Sequence, residues 1–406
     1  MMSGFKWQRH GQGAKIALAL PACAFVLLVL FGVIGLLRTE GAAFDVRVLY
    51  GAGAWYLEGI SPYGIPKTAA KLHDIGLEMW VYAYPPHLSP FLMLLASLSF
   101  AWARAVMVVA NVAACLALAF LVARFMQAEA RQSGRPVEPW LPAVVAALII
   151  GSPFTAHVVW LGNTSLLIGA ALVGAWWFDR ERRPVIAGIL LALASIKPQF
   201  ALLPGLWLLM ERRWTTVFTA GLTVAALSAL HVIQFGPIQS FRLWLEGLEV
   251  YDLVVDQLQP HATRGRMGVD VFLNSMHITD IVAIPLGLAI LTVLWRYRTA
   301  LSRLEILASL CAFAVLFLPS HNYDLVLLAP LAGALALRTR SDAQLAWVAL
   351  TAGLLMMLPQ RFVLLFAGEP LTFWRVPVLL FLQVLLIALT VRRYADAPIP
   401  FSRAKS

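Results

Sequence analysis

The stretch Phe44-Asp45-Val46-Arg47-Val48-Leu49-Tyr50 follows directly after the first long apolar segment of the chain. It places a carboxylate, Asp45, just past the end of that segment, where a membrane helix would meet water. From there to Tyr84-Pro85-Pro86 the sequence mixes aromatic residues, glycines and prolines with scattered charge. A carboxylate that such a loop partly removes from water could act as a general base, and the alternative is a solvated residue at the membrane interface.

The composition is that of a membrane protein. The chain has 406 residues, of which 61% are hydrophobic and 13% charged, and its mean hydropathy is +0.79. Soluble domains contain about half apolar and a quarter charged residues. The apolar runs have the length of helices and lack the alternation of an outer-membrane barrel. We therefore expect an all-α integral membrane protein, with residues 1–406 forming a single polytopic domain.

The net charge of +10 indicates topology and not nucleic-acid binding. Most arginines lie in short clusters between apolar runs, as is typical of cytoplasmic loops. Lys6, Arg9 and Lys15 flank the start of the first run, so the N-terminus is expected in the cytoplasm and the run is expected to be retained as a helix. The sequence contains no nucleotide-binding loop or acidic cluster, so we expect no cofactor and no metal site, and a metal requirement stays open. The three cysteines lie in apolar runs without zinc or disulfide spacing: Cys23, Cys115 and Cys311.

The positive-inside rule predicts about twelve crossings with both termini in the cytoplasm. Residues 41–100 then form the first extracytoplasmic loop, with short interfacial helices near residues 46–58 and 68–79. The run 87–100 is short, and the rule favours a re-entrant helix there over a true span, which would change the parity of every later crossing. The predicted spans are 14–37, 102–123, 140–158, 165–178, 184–196, 200–210, 215–233, 279–295, 304–318, 325–337, 345–358 and 372–391.

Two ionisable residues lie close to the predicted extracytoplasmic ends of spans. Lys197 lies within an apolar sequence and precedes Pro198; it suits an anion such as a phosphate, or it extends toward the interface. His321 lies in the polar segment Leu318-Pro319-Ser320-His321-Asn322-Tyr323-Asp324. It suits phosphate binding or proton transfer, or simply a turn with satisfied hydrogen bonds. Asp324 either orients His321 or caps the following helix.

Other polar residues fall on the same predicted side. Arg264, Arg266 and Arg361 lie there against the positive-inside trend. Contacts to a phosphate would account for them, and a solvated basic loop would do so as well. Asn163 and Gln199 suit hydrogen bonds to a hydroxyl-rich ligand or between helices. Aromatic residues of the first loop could stack on a sugar ring or form an interfacial belt: Trp55, Tyr56, Trp80, Tyr82 and Tyr84.

In their order and spacing, these segments resemble glycosyltransferase family 87, the polyprenyl-phosphate-sugar-dependent membrane glycosyltransferases of the GT-C superfamily. Two departures stand out. The chain lacks residues between Gly162 and Asn163 that the family's Gly-Gln-x-Asn block has. Arg47 replaces an aromatic or small residue, which suggests a different acceptor or a salt bridge to Asp45. The blocks that carry the resemblance are Phe44-Asp45, Tyr50, Ala54, Leu57, Gly59, Pro62-Tyr63, Tyr84-Pro85-Pro86, Leu161-Gly162-Asn163, Arg183-Pro184, Ala187-Gly188, Ile196-Lys197-Pro198, Pro319-Ser320-His321 and Tyr323-Asp324-Leu325.

The resemblance implies a GT-C type bundle in the bacterial cytoplasmic (inner) membrane. Such an enzyme would transfer a hexose, commonly mannose, from a polyprenyl-phosphate donor to a hydroxyl of a lipid or glycan acceptor on the extracytoplasmic face, with inversion. Its partners would be that donor, that acceptor and membrane lipids, and not nucleic acid. The implied roles are catalysis for Asp45 and His321, donor-phosphate binding for Lys197, Arg264 and Arg361, and sugar or acceptor binding for Tyr50, Tyr84, Asn163 and Gln199.

Two other functions are alternatives. A transporter or flippase of lipid-linked sugars would need charges near the membrane midplane and often an internal repeat. Apart from Lys197, the charges avoid the centres of the predicted helices, and no repeat is visible. A ligase that transfers a whole glycan from a lipid carrier would favour a larger extracytoplasmic loop and more basic residues late in the chain.

Overall fold

The computed structural model describes residues 15, 19–35, 43–63, 80, 82–257, 265–360, 362–363 and 372–395. Arg264 and Arg361 lie outside the described residues, as does the predicted interfacial helix at residues 68–79. Helices make up most of the described part, and its strands are one pair of two residues each, which confirms the all-α fold class.

The helices follow the apolar runs, and several begin at a proline, whose fixed φ suits the first helical position. Helix α1 contains a π-helical segment at Val29–Val33, and short 3-10 helices occur at Pro86–Leu88, Asp280–Val282 and Asn322–Leu328. In chain order the helices are α1 (Ala19–Val33), α2 (Phe44–Leu57), α3 (Ser89–Ala96), α4 (Phe100–Gln132), α5 (Trp140–Ile150), α6 (Pro153–Leu161), α7 (Ser165–Arg180), α8 (Pro184–Ala194), α9 (Pro198–Met210), α10 (Trp214–Phe235), α11 (Pro237–Gln257), α12 (Val269–Ser275), α13 (Ala283–Arg296), α14 (Arg303–Phe317), α15 (Ala329–Thr339), α16 (Ala343–Met357) and α17 (Arg375–Ala395).

Three helices in the described part are long and apolar enough to cross a membrane: α4, α10 and residues Arg375–Arg392 of α17. Helices α5 and α6 reach the same standard together, as one span bent by 41°. These helices support the predicted membrane protein, whereas the number of twelve crossings stays a prediction. The shorter apolar helices, such as α8 and α9, suit positions packed within a bundle.

Helix α14 lies at the centre of the bundle. Every residue from Leu304 to Leu316 is buried, as expected for a helix that is apolar on all sides. It contacts α9, α13, α15 and α17. Helix α14 ends at Phe317, and the polar segment at residues 318–324 follows. The position of the core helix therefore places this segment at the end of the bundle.

The bend between α5 and α6 differs from the uninterrupted span predicted at 140–158. The chain breaks at Gly151 and Ser152 because Pro153 has no N–H to continue a helix and starts a new one. Side chains satisfy the backbone groups at the break: the Ser152 hydroxyl accepts from the Phe154 N–H at 3.2 Å, and the Thr155 hydroxyl donates to the Ile149 carbonyl at 2.7 Å. After the break, α6 runs to Leu161, two residues before Asn163.

Helices α2 and α3 pack very closely. A Cβ placed on Gly53 would lie 2.0 Å from the Leu92 carbonyl oxygen, so only glycine allows this approach. Helix α3 has eight residues and is about 12 Å long, too short to cross a hydrocarbon core of about 30 Å alone. This length favours the predicted re-entrant segment at 87–100 over a separate span.

Polar side chains lie at both ends of the bundle, around Asn163 at one end and around Asp179 at the other. Helix α7 begins beside Asn163 and ends at Asp179 and Arg180, and α14 runs in the other direction between the same ends. At the end that carries Asp179, here called the opposite end, Arg303 donates to Asp179 at 2.8 Å and to Glu211 at 2.7 Å. A further ion pair there joins Arg338 to Glu305. We call the end that carries Asn163 the site end.

Candidate active site

Helix α2 brings Asp45 to the site end through a close contact with α6. Gly162 ends α6 with φ of +70°, a left-handed conformation that glycine adopts without strain. A Cβ on Gly162 would lie 2.0 Å from Cγ2 of Val46, so the contact requires a glycine here. The Ala43 N–H also donates to the Trp160 carbonyl at 3.0 Å. The start of α2 is therefore fixed against the end of α6, with Asp45 beside Asn163.

Asn163 connects Asp45 to the interior. Its Nδ2 donates to Oδ2 of Asp45 at 2.9 Å. Its Oδ1 accepts from the Ser165 N–H at 2.9 Å and from Lys197 Nζ at 3.3 Å. Asn163 is only 1% exposed, and both ends of its amide are engaged. The side chain therefore holds one oxygen of Asp45 in a fixed position.

Lys197 lies at the centre of this group of side chains. Its Nζ donates to Oδ1 of Asp324 at 2.6 Å, to Oγ of Ser165 at 2.8 Å and to Oδ1 of Asn163 at 3.3 Å. An ammonium has three N–H donors, and these contacts use all three. Asp45, Asn163, Ser165, Lys197 and Asp324 are here called the polar cluster.

Asp324 links the polar cluster to His321. Its Oδ2 accepts from the His321 backbone N–H at 2.9 Å, and the His321 side chain accepts from the Asp324 N–H, so the two residues form a capping box. The His321 ring stacks on Tyr323, with centroids 5.1 Å apart. The Tyr323 ring in turn lies 4.7 Å from Lys197 Nζ. Asp324 therefore takes part in capping the 3-10 helix Asn322–Leu328, whose N-cap is His321, and it also forms an ion pair with Lys197.

Burial raises the pKa of the Asp45 carboxyl to about 6. The Asn163 hydrogen bond and then the charge of Lys197 act in the lowering direction, and the charge of Asp324 acts in the raising direction. Burial dominates because removal from water disfavours the charged form. Asp45 is therefore a stronger base than an ordinary aspartate and is still mostly ionised at neutral pH.

A comparison with known protein families identifies the family of the chain. The profile described as "Glycosyltransferase family 87" matches residues 82–319, more than half of the chain. The chain belongs to glycosyltransferase family 87. No curated protein matches the chain significantly. The family match includes Asn163, Ser165 and Lys197, whereas Asp45 and Asp324 lie on either side of it.

Family 87 membership identifies the protein as a glycosyltransferase. Two of its predicted sugar- or acceptor-binding residues lie near the polar cluster. The Tyr84 hydroxyl accepts a hydrogen bond of 3.4 Å from Thr164, the neighbour of Asn163, and burial together with the charge of Asp45 holds the pKa of Tyr84 above its usual range. Gln199 donates to the Pro319 carbonyl at 3.4 Å, at the edge of the polar segment.

Tyr50 and Arg47 of this glycosyltransferase point elsewhere. The Tyr50 hydroxyl donates to the Leu98 carbonyl at 3.0 Å, between α3 and α4, and makes no described contact with the polar cluster. Arg47 lies over the Phe100 ring, 5.7 Å from its centroid. The described residues include no ion pair between Arg47 and Asp45, because side chains two positions apart on a helix do not face each other.

A short pair of antiparallel strands places a second loop beside the site of the glycosyltransferase. Strand β1 (Arg266–Met267) pairs antiparallel with β2 (Ser320–His321), with Arg266 opposite His321. The Asn322 N–H also donates to the Gly265 carbonyl at 2.8 Å. The loop that contains the predicted residue Arg266 therefore reaches the His321 segment.

A large apolar cavity of about 780 Å³ lies between α5, α15 and α16 of the glycosyltransferase. Its volume is within the range of small-molecule sites, about 300–1,000 Å³. Phe154 and Leu325 line it toward the site end, and Arg135 and Arg340 toward the opposite end. It therefore follows the long direction of the bundle.

Two residues near the site were not among the sequence-based candidates. Ser165 contributes to the polar cluster, and Arg375, the first residue of α17, donates to Oδ1 of Asn322 at 3.0 Å. The sequence did contain a signal for Arg375, because a charged residue near the start of a predicted span is unusual enough to suggest a function. The described residues contain no group of three His, Cys, Asp or Glu placed to hold a metal ion.

Proposed function

We propose that this family 87 glycosyltransferase transfers a hexose, with mannose as the expected sugar, from a polyprenyl-phosphate donor to a hydroxyl of a lipid or glycan acceptor. Asp45 is the general base, and the reaction inverts the anomeric centre. The observation that supports this proposal most strongly is the held carboxylate: one oxygen of Asp45 accepts from Asn163, and its pKa is about 6.

The chemical step follows from the state of Asp45. The ionised carboxylate accepts the proton of the acceptor hydroxyl as the oxygen attacks the anomeric carbon. The bond between that carbon and the phosphate oxygen breaks, and its electron pair leaves with the lipid phosphate. Attack opposite to the leaving phosphate inverts the centre. The structure describes no hydrogen bond to Oδ1 of Asp45, so this oxygen suits the proton transfer.

Lys197 supports the base in this proposal. All three of its donors contact protein groups, so in this conformation it fixes Asn163 and Asp324. The family resemblance implied a contact between Lys197 and the donor phosphate, and that contact stays a prediction. His321 and the loop that contains Arg266 lie on the same side of the polar cluster and suit contacts to the sugar phosphate, where negative charge develops.

The site end is proposed to face the outside of a bacterial cytoplasmic membrane, with both termini in the cytoplasm. Support comes from the basic residues that terminate helices at the opposite end, since cytoplasmic loops carry an excess of Lys and Arg. These residues are Arg180, Arg212, Arg213, Arg303, Arg338 and Arg340.

The test is transfer from a radiolabelled polyprenyl-phosphate mannose in membranes that contain Asp45→Asn. Loss of a general base is expected to lower the rate by about 100-fold or more. Asp280→Asn is the matched control, because Asp280 is an exposed acid in the first turn of a 3-10 helix, and it should transfer as the wild type does. Wild-type transfer by Asp45→Asn would exclude Asp45 as the base, and no transfer by the wild type would exclude this donor.

A further inference from the structure

Arg375 is a buried cation near the site end. Its side chain is only 6% exposed. Nε donates to the Met356 carbonyl at 2.9 Å, Nη2 to the Leu358 carbonyl at 2.7 Å and Nη1 to Oδ1 of Asn322 at 3.0 Å. A guanidinium has five N–H donors, so these contacts leave two of them for another acceptor.

The charge of Arg375 is less well balanced than that of other buried or partly buried cations. Lys197 pairs with Asp324, Arg303 with Asp179 and Arg338 with Glu305. The structure describes no ion pair between Arg375 and a carboxylate. The carbonyls at the end of α16 supply only a partial negative charge, roughly half an elementary charge for a whole helix. Burial of a full charge is costly without a counter-ion, so a bound anion would stabilise this position.

A second group beside Arg375 also lacks an acceptor. The indole N–H of Trp374 is buried and, among the residues that the structure describes, has no hydrogen-bond partner. The Arg375 guanidinium lies 4.6 Å from the centroid of the Trp374 ring. Buried donors are normally paired, so a ligand oxygen would satisfy this one as well.

Arg375 contacts residues of both the apolar cavity and the polar segment, although it does not itself line the cavity. The guanidinium is 5.2 Å from the centroid of the Phe154 ring, and both Phe154 and Met356 line the cavity. On its other side it contacts Asn322, which directly follows His321. A molecule with a long apolar chain and an anionic head could therefore place the chain between α5, α15 and α16 and the head at Arg375.

We propose that Arg375 binds the phosphate of the lipid donor, and that the apolar cavity holds the polyprenyl chain. This inference depends on the proposed function for the identity of the lipid, and it assigns the phosphate to a residue outside the predicted set. It also accounts for the structure of the polar cluster, in which Lys197 has no donor left for a phosphate.

The test is equilibrium binding to the purified full-length protein in nanodiscs. The probes are a long-chain polyprenyl monophosphate, the corresponding polyprenol and inorganic phosphate. We expect Arg375→Gln to weaken binding of the monophosphate at least about tenfold, because it removes a charged hydrogen-bond donor. Binding of the polyprenol should not change. Inorganic phosphate should bind the wild type far more weakly than the lipid does.

Arg298→Gln is the matched control. Arg298 also donates to a carbonyl at the end of a helix, that of Trp295 at 2.9 Å, and lies 4.2 Å from the centroid of the Trp295 ring. It is exposed and lies away from the cavity, so this variant should bind the monophosphate as the wild type does. A purely structural role of Arg375 would lower stability and would not distinguish the monophosphate from the polyprenol.

Each result leads to a different conclusion. If Arg375→Gln folds and binds the monophosphate as tightly as the wild type, Arg375 does not bind the phosphate, and the proposed function stands. If the wild type binds no monophosphate, the proposed donor is wrong. If inorganic phosphate binds as tightly as the lipid, the site takes free phosphate and the inference is wrong.

A second variant covers the case in which Arg375→Gln does not fold. Arg375→Lys keeps the charge but loses the planar, multiple donors of the guanidinium. It is expected to weaken binding of the monophosphate at least about threefold and to leave the polyprenol unaffected. Equal affinity of this variant and the wild type for the monophosphate would overturn the inference.

Discussion

Lys197 and Asp324 form a buried ion pair, with Nζ 2.6 Å from Oδ1. The two residues come from distant parts of the chain, one before α9 and one after α14. Both are almost completely buried, so neither can exchange its partner for water. The pair therefore fixes the relative positions of α9 and of the polar segment, and through Asn163 it fixes Asp45.

Removal of one partner of this pair should destabilise the protein strongly. Lys197→Met leaves Asp324 buried without a counter-ion, and the free energy of unfolding should fall by about 3–5 kcal/mol. The double variant Lys197→Met/Asp324→Leu should recover much of this loss, because it leaves no buried charge. Denaturation followed by intrinsic fluorescence would measure both effects. A double variant less stable than Lys197→Met would show that the pair is not the cause.

The pH dependence of transfer should follow Asp45. Its pKa is about 6, so kcat/KM should fall as the pH is lowered through 6, because the protonated acid cannot accept a proton. The Asn163 hydrogen bond lowers this pKa. Asn163→Ala should therefore move the midpoint of the pH profile to a higher value. A midpoint unchanged or lowered in Asn163→Ala would contradict the assignment.

The control for this experiment is Asn111→Ala. Asn111 is also a buried asparagine, but its amide donates to the Met107 carbonyl within α4, at 3.1 Å. Its removal should cost stability through the same type of truncation but leaves the surroundings of Asp45 intact. We expect the midpoint of its pH profile to equal that of the wild type.

Loss of the Asp45 charge should stabilise the folded protein above pH 6. The folded-state pKa is raised from 3.8 to about 6, so ionisation of Asp45 disfavours folding as the pH rises between these values. Asp45→Asn should increase the free energy of unfolding by about 1–2 kcal/mol at pH 8, a value reduced for partial exposure. The gain should vanish below about pH 4. A gain that is independent of pH would show that the charge of Asp45 is not its cause.

The contact between α2 and α3 should depend on Gly53. Gly53→Ala places a methyl group 2.0 Å from the Leu92 carbonyl oxygen, so the helices must separate, and the free energy of unfolding should fall by about 1–3 kcal/mol. Gly221→Ala is the control: its new Cβ would meet nothing within 4 Å, and alanine should stabilise α10 by about 0.5–1 kcal/mol. Equal stabilities of the two variants would contradict the close packing of α2 on α3.

The sequence was sufficient to predict most of the apolar helices and several residues of the site, whereas α11 and α12 lie in a region that was expected to be an extracytoplasmic loop. Apolar runs show where the chain is helical because membrane helices bury their backbone polar groups internally. Asp45, Lys197 and Asn163 were all candidates, and the structure brings them together. The contacts between them were not predictable, because they depend on turns such as the one at Gly162 and on side-chain directions that only the packed bundle sets.

Lys197 and Arg375 show most clearly what could not be predicted from the sequence. A lysine within an apolar run indicates an anionic partner, but the sequence does not show whether that anion is a ligand or a carboxylate such as Asp324. Arg375 was overlooked because a charge in the first turn of a predicted span resembles an ordinary boundary residue. The residues that cause the break, Gly151-Ser152-Pro153, are typical of a helix end. They were nevertheless included in one predicted span because the run is apolar on both sides of them.

Polar and charged side chains connect α7 with α14 and the polar segment that follows it, one set at each end of the bundle. At one end Ser165 and Asp324 share Lys197, and at the other Arg303 contacts Asp179. Because these contacts lie about 20 Å apart, we expect them to hold the two helices in fixed relative positions. Any opening that admits a bulky substrate from the bilayer is then expected to come from other helices, such as α2, or α16 with α17.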